Sequence, residues 1–348
     1  MKILGIILGV ISILSIQGCK EDAPGGSNHH LDLSKDLVSY HWDGLDVFNT
    51  LENPFHQAID SNYIKHKDSD TMISLLKSAC GINLDNTYIV AGNFSSPLYI
   101  ATDSTPTRDV KITLYNIPFG KSHITNVPFV PGSSAAEGSD KHYMVINKDK
   151  RCLQEFWIFE GNKAASGGGI SIDSNGIYRN GGSSVASGFS QLQGAIWPKE
   201  LKDQEINHAL FFSCPVTNSN GYVSSATSND GALKNNPYAI PQGTLVRIKP
   251  SINIDTIAGL SSVDKTVYKA LQKYGMYCGD TNGAGIGIKA IDSRSVYSDA
   301  YPSAFKVRAN GSYYLNKFPF DLLEVVYTGN LTAPSQRPLL SSGCVTWR

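Results

Sequence analysis

GSDKHYMVINKDKRCLQEFWIFE, residues 138–160, is the stretch from which the reading of the chain grows. Two runs rich in β-branched and aromatic residues, HYMVIN and LQEFWIF, flank a polar KDKR. That pattern predicts a β-hairpin with its turn at 148–151. If Asn147 faces Cys152, then Met144 faces Glu155 and His142 faces Trp157. Side chains alternate along a strand, so His142, Met144, Ile146, Leu153, Glu155 and Trp157 share one face. A one-residue slip would scatter the group.

Outward from the hairpin, similar short runs recur. TYIVA (87–91), PLYIA (97–101), VKITLY (110–115), HALFFS (208–213), TLVRIK (244–249), GIGIKA (285–290) and LLEVVY (322–327) all read as strands. Gly, Asn, Asp, Ser and Pro clusters separate them. Two segments carry helical spacing instead. Residues 70–80 gather Met72, Leu75, Leu76, Ala79 and Cys80 on one face. Residues 262–274 gather Val263, Val267, Ala270, Leu271 and Tyr274, with Ser261 and Asp264 as a capping pair and Gly275 as the stop. Many strands and two short helices predict a mainly β, single-domain β-sandwich, jelly-roll or concanavalin-like. The domain is expected over 36–348, with the Gly/Ser-rich 164–188 as a long loop excursion within it.

The N-terminus predicts an address. Lys2 precedes an apolar run, 3–16, that is shorter than the ~20 residues a transmembrane helix needs. It ends in Ile16-Gln17-Gly18-Cys19, which resembles a bacterial lipobox. The expected layout is a signal peptide over 1–18, lipid on Cys19, and a flexible tether over 19–35. Lys20-Glu21-Asp22 resembles the surface-export signal of Bacteroidota lipoproteins. The expected location is therefore the outer membrane, facing either the cell surface or the periplasm. His29 and His30 read as tether residues.

With 30 basic and 30 acidic residues, no net field draws the chain to nucleic acid. Gly120-Lys121-Ser122 imitates the end of a P-loop, but Tyr115 stands where its first glycine belongs, so no nucleotide is expected. Gly279, Gly283, Gly285 and Gly287 open no helix, and GxSxG and HExxH are absent. No cofactor is implied. Beyond Cys19 the cysteines are Cys80, Cys152, Cys214, Cys278 and Cys344; their odd number leaves at least one unpaired, and no CxxC pair suggests zinc.

Candidate chemistry remains on a few residues. His142, Glu155 and Trp157 would put an imidazole, a carboxylate and a sugar-stacking ring together, provided that His142 and Glu155 both project toward solvent. His208 opens a strand. Arg247 and Lys249 alternate with Val246 and Ile248 and could hold a uronate or sulfate. Tyr274, Tyr277 and Asp280 surround a helix-to-strand turn. A metal held by His142, His208 and Glu155 is an open alternative.

The order GSDKHYMVIN…CLQEFW, INHALFFSCP, TLVRIKPSINI and ALQKYGMYCGDTNG resembles a group of uncharacterised secreted bacterial proteins. Their pattern runs PGSDGHMVVVD…YEFW, DHALRF, LRLKASFDI, LKKYGMIVADNG. FNTLENPF and SPLYIATDSTP upstream are similar to FNTPIP and PIYDADASTP of that group. The resemblance covers about residues 45–290 and carries His142, Glu155, Trp157, His208, Lys249, Tyr274 and Asp280. Here Lys141 replaces a glycine, and Asn207 replaces an aspartate that could orient the second histidine. The resemblance implies which residues matter, not what they do.

The resulting expectation is a surface lipoprotein that cleaves extracellular polysaccharide as a lyase or hydrolase. The catalytic set is His142, Glu155, His208, Tyr277 and Asp280. Trp157, Arg247, Lys249 and Tyr274 would bind substrate. In the lyase version Arg247 or Lys249 neutralises a uronate while His142, His208 or Tyr277 takes the proton. In the hydrolase version Glu155 and Asp280 are the carboxylate pair. The alternative is a glycan-binding lipoprotein without catalysis.

Overall fold

The 138–160 hairpin forms in the expected register. In the computed structural model Asn147 pairs with Cys152 and Met144 with Glu155. The structure describes residues 41–42, 45–80, 86–115, 117–179, 183–293, 295, 301–306, 311–333 and 343–348. The expected signal peptide, the Cys19 lipidation site and the tether lie outside them. Residues Leu37–Arg348 form one compact unit.

The hairpin strands β7 (Tyr143–Asn147) and β8 (Cys152–Trp157) are the centre of a four-stranded sheet. β10 (Ser166–Ser171) flanks β8 and β4 (Leu98–Ala101) flanks β7, the latter in parallel. A second four-stranded sheet orders β19 (Thr346–Trp347), β6 (His123–Pro128), β5 (Thr107–Ile112) and β9 (Lys163–Ala164). The two sheets share one apolar cluster, with Tyr99, Tyr143, Val145 and Phe156 meeting Val110, Ile112, Ile124 and Val127. In this cluster their apolar faces are buried against each other. Tyr143 anchors it by stacking on Tyr99, Phe129 and Phe159.

A larger mixed sheet has seven strands. Its order is β17 (Ser312–Tyr314), β3 (Thr87–Val90), β16 (Ile286–Lys289), β11 (Leu210–Cys214), β15 (Met276–Thr281), β14 (Leu245–Ile248) and β18 (Leu323–Val326). Two-stranded pieces, β1 (His41–Trp42) with β2 (Leu45–Asp46) and β12 (Thr217–Tyr222) with β13 (Ile240–Gln242), complete the strands described.

The chain is thus mainly β. Both expected helices are present. α1 (Ser69–Ala79) buries Met72, Ile73 and Leu76, and α3 (Ser262–Lys273) buries Val263, Val267 and Leu271. Ser261 and Asp264 form the capping box, and Gly275 takes φ of 77°. α1 and α3 cover one face of the seven-stranded sheet, against Ile89, Leu210, Phe212, Val246, Cys278 and Ile288. A third helix, α2 (Pro198–Asp203), was not anticipated. It is too short for helical periodicity to show, and only Pro198 at its start signals it.

The Gly/Ser-rich stretch is an excursion only in part. β10 exists because Gly167 and Gly169 leave room that side chains would fill. A Cβ on Gly167 would lie 2.4 Å from the Phe156 ring, and one on Gly169 would lie 2.6 Å from Val345. Beyond it the chain does not hang outward: Ser183, Ser184, Ser187, Ser190 and Gln191 are buried. Cys152 and Cys344 form a disulfide, and Cys80, Cys214 and Cys278 are free and buried.

Candidate functional site

The helix-free face of the seven-stranded sheet floors a cleft of about 580 Å³. Alternation decides which residues reach it. On β3, Ile89 packs under the helices while Tyr88 and Val90 face the cleft; on β16, Ile286 and Ile288 pack inward while Gly287 and Lys289 face out. β11 turns Phe211 and Ser213 the same way. The opposite wall is the entry to β7, with Ser139, Asp140 and His142, and the nearby Phe94.

Asp280 reaches the cleft through a break in alternation. Phe212 pairs with Cys278, but the next residue, Ser213, pairs with Asp280, so Gly279 is an extra residue. This β-bulge puts Asp280 on the cleft side, two positions after the inward-facing Cys278. Only glycine fits at the bulge, because a Cβ there would lie 2.0 Å from the Phe211 ring. Burial and the neighbouring Asp230 push the Asp280 carboxyl up to about 8, Lys289 opposing and Asp140 assisting. Burial lowers Lys289 to about 8, against the pull of Asp280, Glu155 and Asp140. Burial thus shifts both groups toward their neutral forms, the protonated acid and the free amine. The Lys289 ammonium lies 4.4 Å above the Phe211 ring.

His142 and Lys289 are joined by one amide. Gln191 Oε1 accepts from Lys289 Nζ at 2.5 Å and from the Ser96 hydroxyl. Its Nε2 must then be the donor toward His142 Nδ1, 2.5 Å away, so the imidazole carries its proton on Nε2. Burial, then the Lys289 charge, hold this histidine well below its ordinary value, and it is neutral.

Glu155 does not share the cleft. Its side chain is fully buried, contrary to the expectation that it projects toward solvent. One carboxylate oxygen accepts from the Ser183 and Ser184 hydroxyls and the Ser184 amide; the other accepts from the Ser190 hydroxyl and the Gln191 amide. The pleat arithmetic is right about the face, which also holds Met144, Ile146 and Leu153. It cannot show that residues 183–192 cover that face. Glu155 therefore holds the loop that presents Gln191.

The other sequence candidates are dispersed. His208 is buried and 3.0 Å from Glu200 of α2, with Nδ1 donating to the Ala209 carbonyl at 2.7 Å. Both ring nitrogens face acceptors. Burial opposes the charge, but the Glu200 carboxylate outweighs it and raises the pKa. Glu200 thus supplies the carboxylate that Asn207 lacks. Asn207 Oδ1 instead accepts from the Tyr274 hydroxyl, and the Tyr274 ring is buried. Tyr277 packs against Phe55 and Phe189, and burial pushes its hydroxyl up to about 12. Arg247 is sealed against Glu324 at 2.9 Å and over the Tyr63 ring, which leaves it no access to a uronate. Lys249 lies at the end of β14 and donates to the Asp321 carbonyl. Trp157 is part-exposed and donates to Asp140 at 3.4 Å.

His142, Glu155 and His208 have separate partners, and among the described residues no group of three His, Cys, Asp or Glu side chains could hold a metal ion. Sequence reasoning missed Asp140 and Lys289, although Asp140 lies within the opening stretch. It also missed Gln191, which no motif marks. No family model matches the chain, and no curated protein or solved structure was found to be similar to it.

Proposed function

We propose that the chain is a lipid-anchored surface protein that hydrolyses an extracellular glycan in this cleft. One observation carries the reading: Asp140 and Asp280 line a cleft whose walls also hold the rings of Tyr88, Tyr314, Phe94 and Phe211. Aromatic faces suit the apolar faces of sugar rings, and a carboxyl pair suits glycosidic bonds.

In this reading Asp280 donates its proton to the glycosidic oxygen as the bond to the leaving sugar breaks. Asp140 is the second carboxylate, and water supplies the new hydroxyl. Lys289 offers positive charge beside the departing oxygen. The neutral His142 and Gln191 fix where that ammonium sits. Glu155, His208 and Tyr277 touch no substrate here, and substrate contacts pass from Arg247, Lys249 and Tyr274 to the cleft aromatics. The reading does not depend on whether the packed sheets are counted as jelly-roll or concanavalin-like. The lipid on Cys19 would keep the protein at the outer membrane, near polymer on the cell surface.

The test is to incubate the purified full chain with a polysaccharide panel, following reducing ends and the ultraviolet absorbance of unsaturated sugar. New reducing ends without that absorbance, lost in Asp280→Asn, are expected. Unsaturated product would make it a lyase. Binding without turnover would make it a glycan-binding protein. Turnover that survives Asp280→Asn removes the assignment.

A further inference from the structure

Outside the cleft, an aromatic surface begins where the wall at Asp140 ends. The Gly138 amide donates to the Asn93 carbonyl at 2.7 Å, and a Cβ on Gly138 would lie 2.8 Å from the Phe94 ring. Phe94 therefore rests on the same corner that carries Asp140. Trp157 also adjoins Asp140, its indole donating to that carboxylate at 3.4 Å. Beyond Trp157, at 6.1 Å between centroids and 32° between planes, is Tyr115, which is 55% exposed. Phe94 and Asp140 line the cleft, and Trp157 and Tyr115, which do not, are joined to it through the Trp157–Asp140 contact.

This surface is held firmly. Ile158 and Phe159 donate their amides to the Asp140 and Lys141 carbonyls, at 2.7 and 3.0 Å. Lys141 and Ile158 both take left-handed backbone, at φ of 41° and 49°, which a β-branched residue accepts only where its surroundings fix it. The Leu114 and Tyr115 amides both donate to the Ala165 carbonyl, and the Ala165 amide donates to the Trp157 carbonyl. Rings already fixed in place lose little freedom when a ligand stacks on them.

We infer that the ligand is a polymer, and that its chain leaves the cleft over Asp140 to lie on a second platform formed by Trp157 and Tyr115. The inference rests on the glycan reading above. A cleft that served a monosaccharide or disaccharide would have no use for ordered, exposed rings beyond its wall. The polar rim of this platform, Lys141 with Glu160, offers hydrogen-bonding groups beside the rings.

The experiment measures binding of cellobiose, cellohexaose, digalacturonate and hexagalacturonate to the full chain in detergent, by calorimetry and by tryptophan emission. One hexamer should bind at least about tenfold more tightly than its dimer. Tyr115→Ala should shrink that ratio, and Trp157→Phe should remove the emission change that the hexamer causes. Equal binding of dimer and hexamer, or an unchanged ratio in Tyr115→Ala, overturns the platform and leaves the cleft reading standing. If no oligomer binds, the cleft reading falls and takes the platform with it. An emission shift of Trp157 caused by phosphatidylglycerol vesicles but by no hexamer would make the surface a membrane contact and overturn the inference.

Discussion

Asp280 reaches the cleft because of a neighbour that has no side chain. Gly279 adds one residue to β15, and the carboxyl after it turns from the helix-covered face to the cleft. Asp280→Asn should lower turnover by about a hundredfold to ten-thousandfold while sugar binding persists, read as kcat against KM. In the wild-type protein the acid must keep its proton, so kcat/KM should fall as pH rises through about 8. A flat profile there would show that another group gives the proton. In the proposed reading Glu155 is a positioning residue. Glu155→Ala removes the acceptor of the Ser184 and Ser190 hydroxyls and of the Ser184 and Gln191 amides, while Ser183 keeps the Phe189 carbonyl, and the loss should be about 3 kcal/mol in urea unfolding. Because the same loop presents Gln191 to Lys289, the alkaline limb of the pH–rate profile should also shift; a stability loss alone would mean that the carboxylate only holds the loop. Residue identity was legible here to different degrees. Nothing in CGDT announces a bulge, so strict alternation would send Asp280 inward. The sealing of Glu155 depends on a segment 28 or more residues away in sequence.

Elements show which inferences from sequence transfer and why. The 138–160 hairpin and helix α3 came out as read, because their signals are local: a polar turn between β runs, and a capping pair followed by a glycine stop. β6 and β12 were not read as strands, since HITNVP and TNSNGY carry weak alternation and owe their form to their partners. Helix α2 was equally hidden, yet it brings Glu200 to His208. That pair has a definite pH signature. Its folded-state pKa lies above the unfolded value, so its contribution is complete below about 6.5 and disappears as pH rises through the folded value. Wild type and His208→Gln, unfolded in urea at about pH 6 and about pH 9, should differ more at the lower pH. An equal difference at both would exclude the charged pair.

At the scale of the whole molecule, two sheet systems meet at the cleft. The seven-stranded sheet supplies Asp280 and Lys289, and the entry to the sandwich hairpin supplies Asp140 and His142. Neither part has both carboxylates: the sequence reading reached Asp280 on the large sheet, whereas Asp140, at the entry to the hairpin, carries no pattern that marks it. The strands that join these parts are far apart in the chain, and single-sequence patterns carry no record of such pairing. The Cys152–Cys344 disulfide spans 192 residues and ties β8 to the segment leading into β19. Cys344→Ser should cost about 2–5 kcal/mol, seen as a lower Tm than wild type under oxidising conditions and no difference in reductant.

That same cross-link sets an order of events for a newly made chain. Thiol 152 lies on a strand whose two neighbours, β7 and β10, are complete once residue 171 has been made. Its partner follows much later. Until residue 344 arrives, the thiol stands in a half-built sandwich whose second sheet lacks β19, open to pairing with Cys80, Cys214 or Cys278. The three spare thiols are safe only after the helices close over their sheet, so oxidation that outruns folding should yield scrambled, protease-sensitive chains.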